Sequence, residues 1–187
     1  MPAFFLALLA AALATVAGRE AVRVARLAQA LGSGFALLAV LWLATIASSA
    51  CVAWFGAELG AQMASPAMGI LVALALLFAA GEVLLLRPPA VPREATRSIP
   101  AILFVLLGAQ LTDAARLMVL ALAAAGGSPV LAGAGGAAGS GVALTFAWAL
   151  GAQWESRLPL SAIRWAVAGV LVLAAGLPGL TALGVVG

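Results

Sequence analysis

Three polar residues, Gln110, Asp113 and Arg116, recur at three-residue steps inside "GAQLTDAARLMVLALAA", a stretch otherwise apolar enough to cross a membrane. On a helix that spacing forms one drifting face, with Thr112 beside it. A charge at mid-membrane costs at least about 2.5 kcal/mol, and ionisable groups kept there mark ion pathways, proton relays or tight pairs. Asp113 therefore has two readings. It is an ion or proton site with Gln110 and Thr112 as auxiliary oxygens, or it is neutralised by Arg116 or Arg19.

A second polar cluster lies in "TVAGREAVR", Thr15 to Arg23. Thr15 and Glu20 offer oxygens. Glu20 stands three residues before Arg23, a helical spacing that suits an ion pair. Arg19 and Arg23 are expected to bridge acids or to snorkel. Glu82, near the end of another apolar run, is expected to form a rim pair with Arg87.

Helices in lipid must position these clusters. Hydrophobic residues make up 66% of the 187-residue chain and charged ones 8%. A soluble domain averages about 25% charged residues, so this chain cannot cover a watery surface with them. Every basic residue is Arg, and no basic patch is interleaved with aromatics, which excludes a nucleic-acid interface. The single cysteine, Cys51, allows no internal disulfide and no thiolate metal site. A phosphate loop, a nucleophile elbow and a His/Cys metal motif are all missing, so the chain is not expected to be an enzyme.

Six runs are long enough to cross a bilayer. They are 3–30, 35–55, 66–86, 99–125, 133–150 and 161–183. The fold expected is all-α, a polytopic membrane protein of six transmembrane helices. Residues 1–86 hold three spans, 87–98 form a linker, and 99–187 hold three more. The start, "MPAFFLALLAAALATVAG", has a signal peptide's apolar character. No basic residue precedes it, and the run continues, so it is read as an uncleaved first span. Arg26, the linker residues Arg87, Arg93 and Arg97, and Arg157 with Arg164 all fall on one face. The positive-inside rule makes that face cytoplasmic and both termini periplasmic, in a cell inner membrane.

Sliding the chain by 95 residues superimposes Gly32-Ser33 on Gly127-Ser128. The same offset carries Gly56-Ala57 to Gly151-Ala152, Val72-Ala73 to Val167-Ala168 and Ala79-Ala80-Gly81 to Ala174-Ala175-Gly176. The register holds without gaps over three helix pairs. Three spans per half make the halves inverted repeats, an arrangement by which transporters bind substrate at the midplane. The offset also lays Gln110 on Thr15 and Asp113 on Gly18, so the two polar clusters are expected to face each other.

This pattern resembles the GDT-type calcium/manganese:proton antiporters, whose two inverted three-helix halves each carry a motif E-φ-G-D-[KR]-[ST]. "FVLLGAQLTDAARLMVLALAA" is similar to the second motif helix, with Gln110 at the Glu position, Thr112 at the Gly, and Asp113 retained. In the first copy Thr15, Ala17 and Gly18 stand at the Glu, Gly and Asp positions, with Arg19 retained as the basic residue and Glu20 following. "GAQWESRLPLSAIRWAVAGVLVLAAGL" is similar to the family's closing loop and last helix. The resemblance implies cation:proton exchange, with Asp113 the central ligand, metal-binding if the cargo is Mn²⁺ or Ca²⁺. Gln110, Thr112, Thr15 and Glu20 would assist, and Arg19, Arg23 and Arg116 would pair charge. No resident cofactor is expected. The expected partners are the lipid bilayer and a small inorganic ion, with a homo-oligomer allowed. A transport-silent membrane scaffold and a carrier of another small ion stand as alternatives.

Overall fold

The computed structural model describes residues 2–85, 97–126 and 128–184. Every regular element in them is helical. In chain order these are α1 (Pro2–Ala17), α2 (Arg19–Leu31), α3 (Phe35–Gln62), α4 (Ser65–Leu85) and α5 (Ile99–Leu111). They continue with α6 (Ala114–Gly126), α7 (Pro129–Leu150), α8 (Gln153–Arg157) and α9 (Leu160–Ala182). The expected linker falls mostly in 86–96, outside the described residues, and Arg87 and Arg93 with it.

Helices α3, α4, α7 and α9 are each long and apolar enough to span a bilayer. The pairs α1–α2 and α5–α6 qualify only when each pair is taken together, and they bend by 62° and 58°. The chain is thus a multi-pass helical membrane protein with four to six candidate spans. The first and fourth apolar runs were expected as continuous helices, and both are broken instead. At the first break Gly18 is extended, with φ −75° and ψ 173°. At the second, Thr112 Oγ1 turns back to the Ala109 carbonyl at 3.2 Å. Short polar side chains and glycine both compete with helical backbone in this way.

Large side chains point outward. Phe5, Leu9, Leu13, Phe78, Phe104, Phe146 and Leu173 are exposed, while the interior is dominated by alanine, as at Ala7, Ala11, Ala14, Ala79, Ala114, Ala115 and Ala132. Lipid already solvates apolar surface, so helices associate in it through close packing of small residues. Two glycine pairs make that packing literal. A β-carbon on Gly56 or Gly60 would meet the Leu120 or Ala124 carbonyl of α6 at 2.5 Å. One on Gly135 or Gly139 would run into the Phe4 or Leu8 carbonyl of α1. Thus α3 seats α6 and α7 seats α1, and α3 and α7 pack on each other at the centre. Both helix breaks are held against these central helices.

Candidate functional site

The two breaks meet. Asp113 lies in the second break, 1% exposed, and its Oδ1 is 3.4 Å from where a β-carbon on Gly18 would sit. Breaking a helix strands backbone groups that need partners. Here charged side chains from other helices supply them. Arg164 of α9 donates from Nε to the Ala17 carbonyl at the end of α1, at 3.0 Å. Glu82 of α4 accepts from the Ala114 amide at the start of α6, at 3.1 Å. Asp113 directly precedes α6, whose N-terminus favours an anion. Among the described residues its Oδ1 has no hydrogen-bond partner.

Glu20 and Glu82 gather around Asp113, close enough for their charges to repel it. Arg19 Nε forms an ion pair with Glu82 Oε1 at 2.9 Å, and its Nη2 donates to Thr112 Oγ1 at 3.3 Å. Arg23 pairs with Glu20 at 3.3 Å. Each glutamate thus has an arginine beside it, although Glu20 Oε1 and Oε2 and Glu82 Oε1, like Asp113 Oδ1, accept no hydrogen bond among the described residues. Among the described residues no arginine nitrogen comes within 4.0 Å of the Asp113 carboxylate. The expected bridge from Asp113 to Arg116 or Arg19 is therefore not formed, whereas the Glu20–Arg23 pair is.

Arg116 turns elsewhere. Its guanidinium donates from Nε to Ser48 Oγ at 2.8 Å, from Nη1 to Ser140 Oγ at 2.8 Å, and from Nη2 to Gln110 Oε1 at 2.7 Å. Nη2 also approaches the Thr45 carbonyl at 3.5 Å. Thr15 Oγ1 donates to Ser140 Oγ at 3.1 Å, and Ser48 Oγ donates to Gln110 Oε1 at 3.0 Å. Residues from α1, α3, α5 and α7 thus converge on one buried cation carried by α6.

The candidate residues fall into two adjoining groups. Asp113, Glu20, Arg19, Arg23 and Thr112 surround the junction of the breaks, with Thr112 exposed at its edge. Gln110, Thr15 and Arg116 belong to the second group. The single helical face expected for Gln110, Asp113 and Arg116 does not exist, because the helix ends between the first two. The break turns Asp113 away while Arg116 folds back to Gln110.

Sequence reasoning placed Glu82 at the rim with Arg87, which lies outside the described residues. Instead Glu82 is 6% exposed and tied to Arg19. It also missed Thr45, Ser48 and Ser140, all buried. Their signal was present: Thr45, Ser48 and Ser49 stand at helical i, i+3, i+4 spacing in an otherwise apolar span.

Two glutamates near a third carboxylate that lacks an ion pair can share a proton with it. Among the described residues no three His, Cys, Asp or Glu are arranged as a ready metal cluster. Compared with known proteins, the chain matches no family model, no curated protein and no solved structure.

Proposed function

We propose that the chain is an inner-membrane carrier that exchanges a small cation for protons, with Asp113 as the group that alternates between them. In this reading it is a divergent relative of the GDT-type calcium/manganese:proton antiporters, and Mn²⁺ and Ca²⁺ are the first cargoes to test. Six spans form two inverted repeats of three, and the halves rock about the junction of the breaks to give alternating access.

The observation that carries this reading is Asp113 itself: buried, with no arginine nitrogen within 4.0 Å of its carboxylate among the described residues and with Oδ1 unpartnered there. An unsatisfied carboxylate in lipid is costly, and such groups persist where they bind something. Glu20 and Glu82 supply further carboxylate oxygens, and Thr112 a hydroxyl at the exposed edge. Glu20, Glu82 and Asp113 set against Arg19 and Arg23 leave one net negative charge, which a single proton neutralises and a dication would turn to one net positive.

The repeat is supported by the helix limits. The 95-residue offset lays α2, Arg19–Leu31, on α6, Ala114–Gly126, end for end. It also lays Gly18 of the first break on Asp113 of the second, and the starts of α3 and α4 within one residue of the starts of α7 and α9. Packing crosses between the halves in matched fashion, α1 on α7 and α5 on α3. The orientation follows the arginines. Arg26, at the far end of α2, grips Glu155 of α8 through two 2.8 Å hydrogen bonds, which brings two of the basic segments to one end. That end is cytoplasmic by the positive-inside rule, with the termini periplasmic.

The test is flux into proteoliposomes under a pH gradient, with Mn²⁺ or Ca²⁺ as cargo. Wild type is expected to carry cation and Asp113→Asn to fall to the level of empty liposomes. Equal flux in both would remove Asp113 from the mechanism. A second reading, a transport-silent scaffold, draws on the closed Arg19–Glu82 and Glu20–Arg23 pairs. It requires no flux and no cation-dependent thermal stabilisation in wild type.

A further inference from the structure

Arg116 is a buried guanidinium with no carboxylate within 4.0 Å among the described residues. Buried charges ordinarily need an ionic partner, and an isolated one is very costly. Here neutral oxygens alone solvate it: Ser48 Oγ, Ser140 Oγ, Gln110 Oε1 and, at longer range, the Thr45 carbonyl. Thr15 steadies Ser140 from behind. That is how a protein dresses a free monovalent cation, with hard, uncharged oxygens from several helices. A dication would call for carboxylates as well.

Part of the cage is matched between the halves. The 95-residue offset carries Thr15 of α1 to Gln110 of α5 and Thr45 of α3 to Ser140 of α7. Ser48 and Arg116 have no such counterpart, since the offset pairs them with Ala143 and Ala21.

We infer that Arg116 is a tethered cation seated in an oxygen cage suited to an alkali ion, so that the protein works without binding sodium or potassium there. The inference goes beyond the carboxylate site, because the cage contains no acid. It assigns Gln110, Ser48, Ser140 and Thr45 to holding a permanent positive charge.

Emptying the cage tests this. Purified Arg116→Ala and the bulkier Arg116→Met are melted in sodium, potassium or N-methylglucamine chloride at equal ionic strength, and in low guanidinium chloride. The result expected is a saturable rise in melting temperature with an alkali cation or guanidinium, absent in wild type. Persistence of that rise in Arg116→Ala/Asp113→Asn places the ion in the cage. Variants that fold only when guanidinium is present also support the inference. Three results overturn it: folded variants indifferent to every cation, variants that fold in none of these salts, or an alkali response lost with Asp113→Asn. The last would put the ion at the carboxylate and leave the exchange reading standing, so the two readings fail separately.

Discussion

Asp113 Oδ1 sits 3.4 Å from the point where Gly18 would carry a β-carbon, so the two helix breaks touch through a carboxylate and the absence of a side chain. The same β-carbon would lie 2.8 Å from the Ala14 carbonyl, a backbone atom that yields little. Gly18→Ala is therefore expected to strain the end of α1, and the larger Gly18→Val to press on Asp113 and force the breaks apart as well. The check is flux in proteoliposomes beside thermal stability in detergent. Gly18→Ala should lower stability by about 1–2 kcal/mol and reduce flux disproportionately. Unchanged flux in Gly18→Val would show that the breaks need not meet.

Glu82 performs two tasks, pairing with Arg19 and capping the Ala114 amide at the start of α6. Glu82→Ala should cost about 2–3 kcal/mol, because it strands a buried amide and frees a half-buried arginine. Glu82→Gln keeps the cap and should cost less. A double-mutant cycle with Arg19→Met measures the pair alone. A coupling near zero would mean that the ion pair contributes nothing beyond the cap.

The close seat of α1 on α7 leaves no room at Gly139, where any β-carbon meets the Leu8 carbonyl. Gly139→Val should destabilise by about 2–3 kcal/mol through overpacking, seen as a lower melting temperature and aggregation on size exclusion. Gly169, with nothing near its β-position, is the control: Gly169→Ala should leave the fold unchanged.

The Arg26–Glu155 contact gives a pH dependence outside the spans. Its hydrogen bonds hold the Glu155 carboxyl below its ordinary value of 4.5. A lowered folded-state value means stability that is present above about pH 4.5 and lost as pH falls through the folded value. The effect is small and salt-sensitive, since both side chains reach solvent. Melting curves between about pH 3 and 6 should fall less steeply for Glu155→Gln than for wild type. Parallel curves would show that the pair is immaterial.

Much of the architecture is legible in the sequence, because in lipid the apolar runs are the helices. Residues 66–86 became Ser65–Leu85, and 161–183 became Leu160–Ala182. The breaks were not legible, because Gly18 and Thr112-Asp113 lie within runs apolar enough to continue. Both clusters were found from their ionisable residues, and their partition was not. Glu82 looked like a rim residue because only the fold brings Arg19 to it. Ser48 and Ser140 went unassigned, because only the fold places a guanidinium between them.

Exchange requires Asp113 to give up a proton when a cation arrives. The direct measurement is proton release from purified protein in lightly buffered detergent, followed with a pH dye as Mn²⁺ or Ca²⁺ is added. Wild type should release protons saturably, with the response strongest at pH values where the site is protonated, and Asp113→Asn should release none. Equal release from Asp113→Asn, or none from wild type over the whole pH range, would contradict the exchange mechanism at its centre.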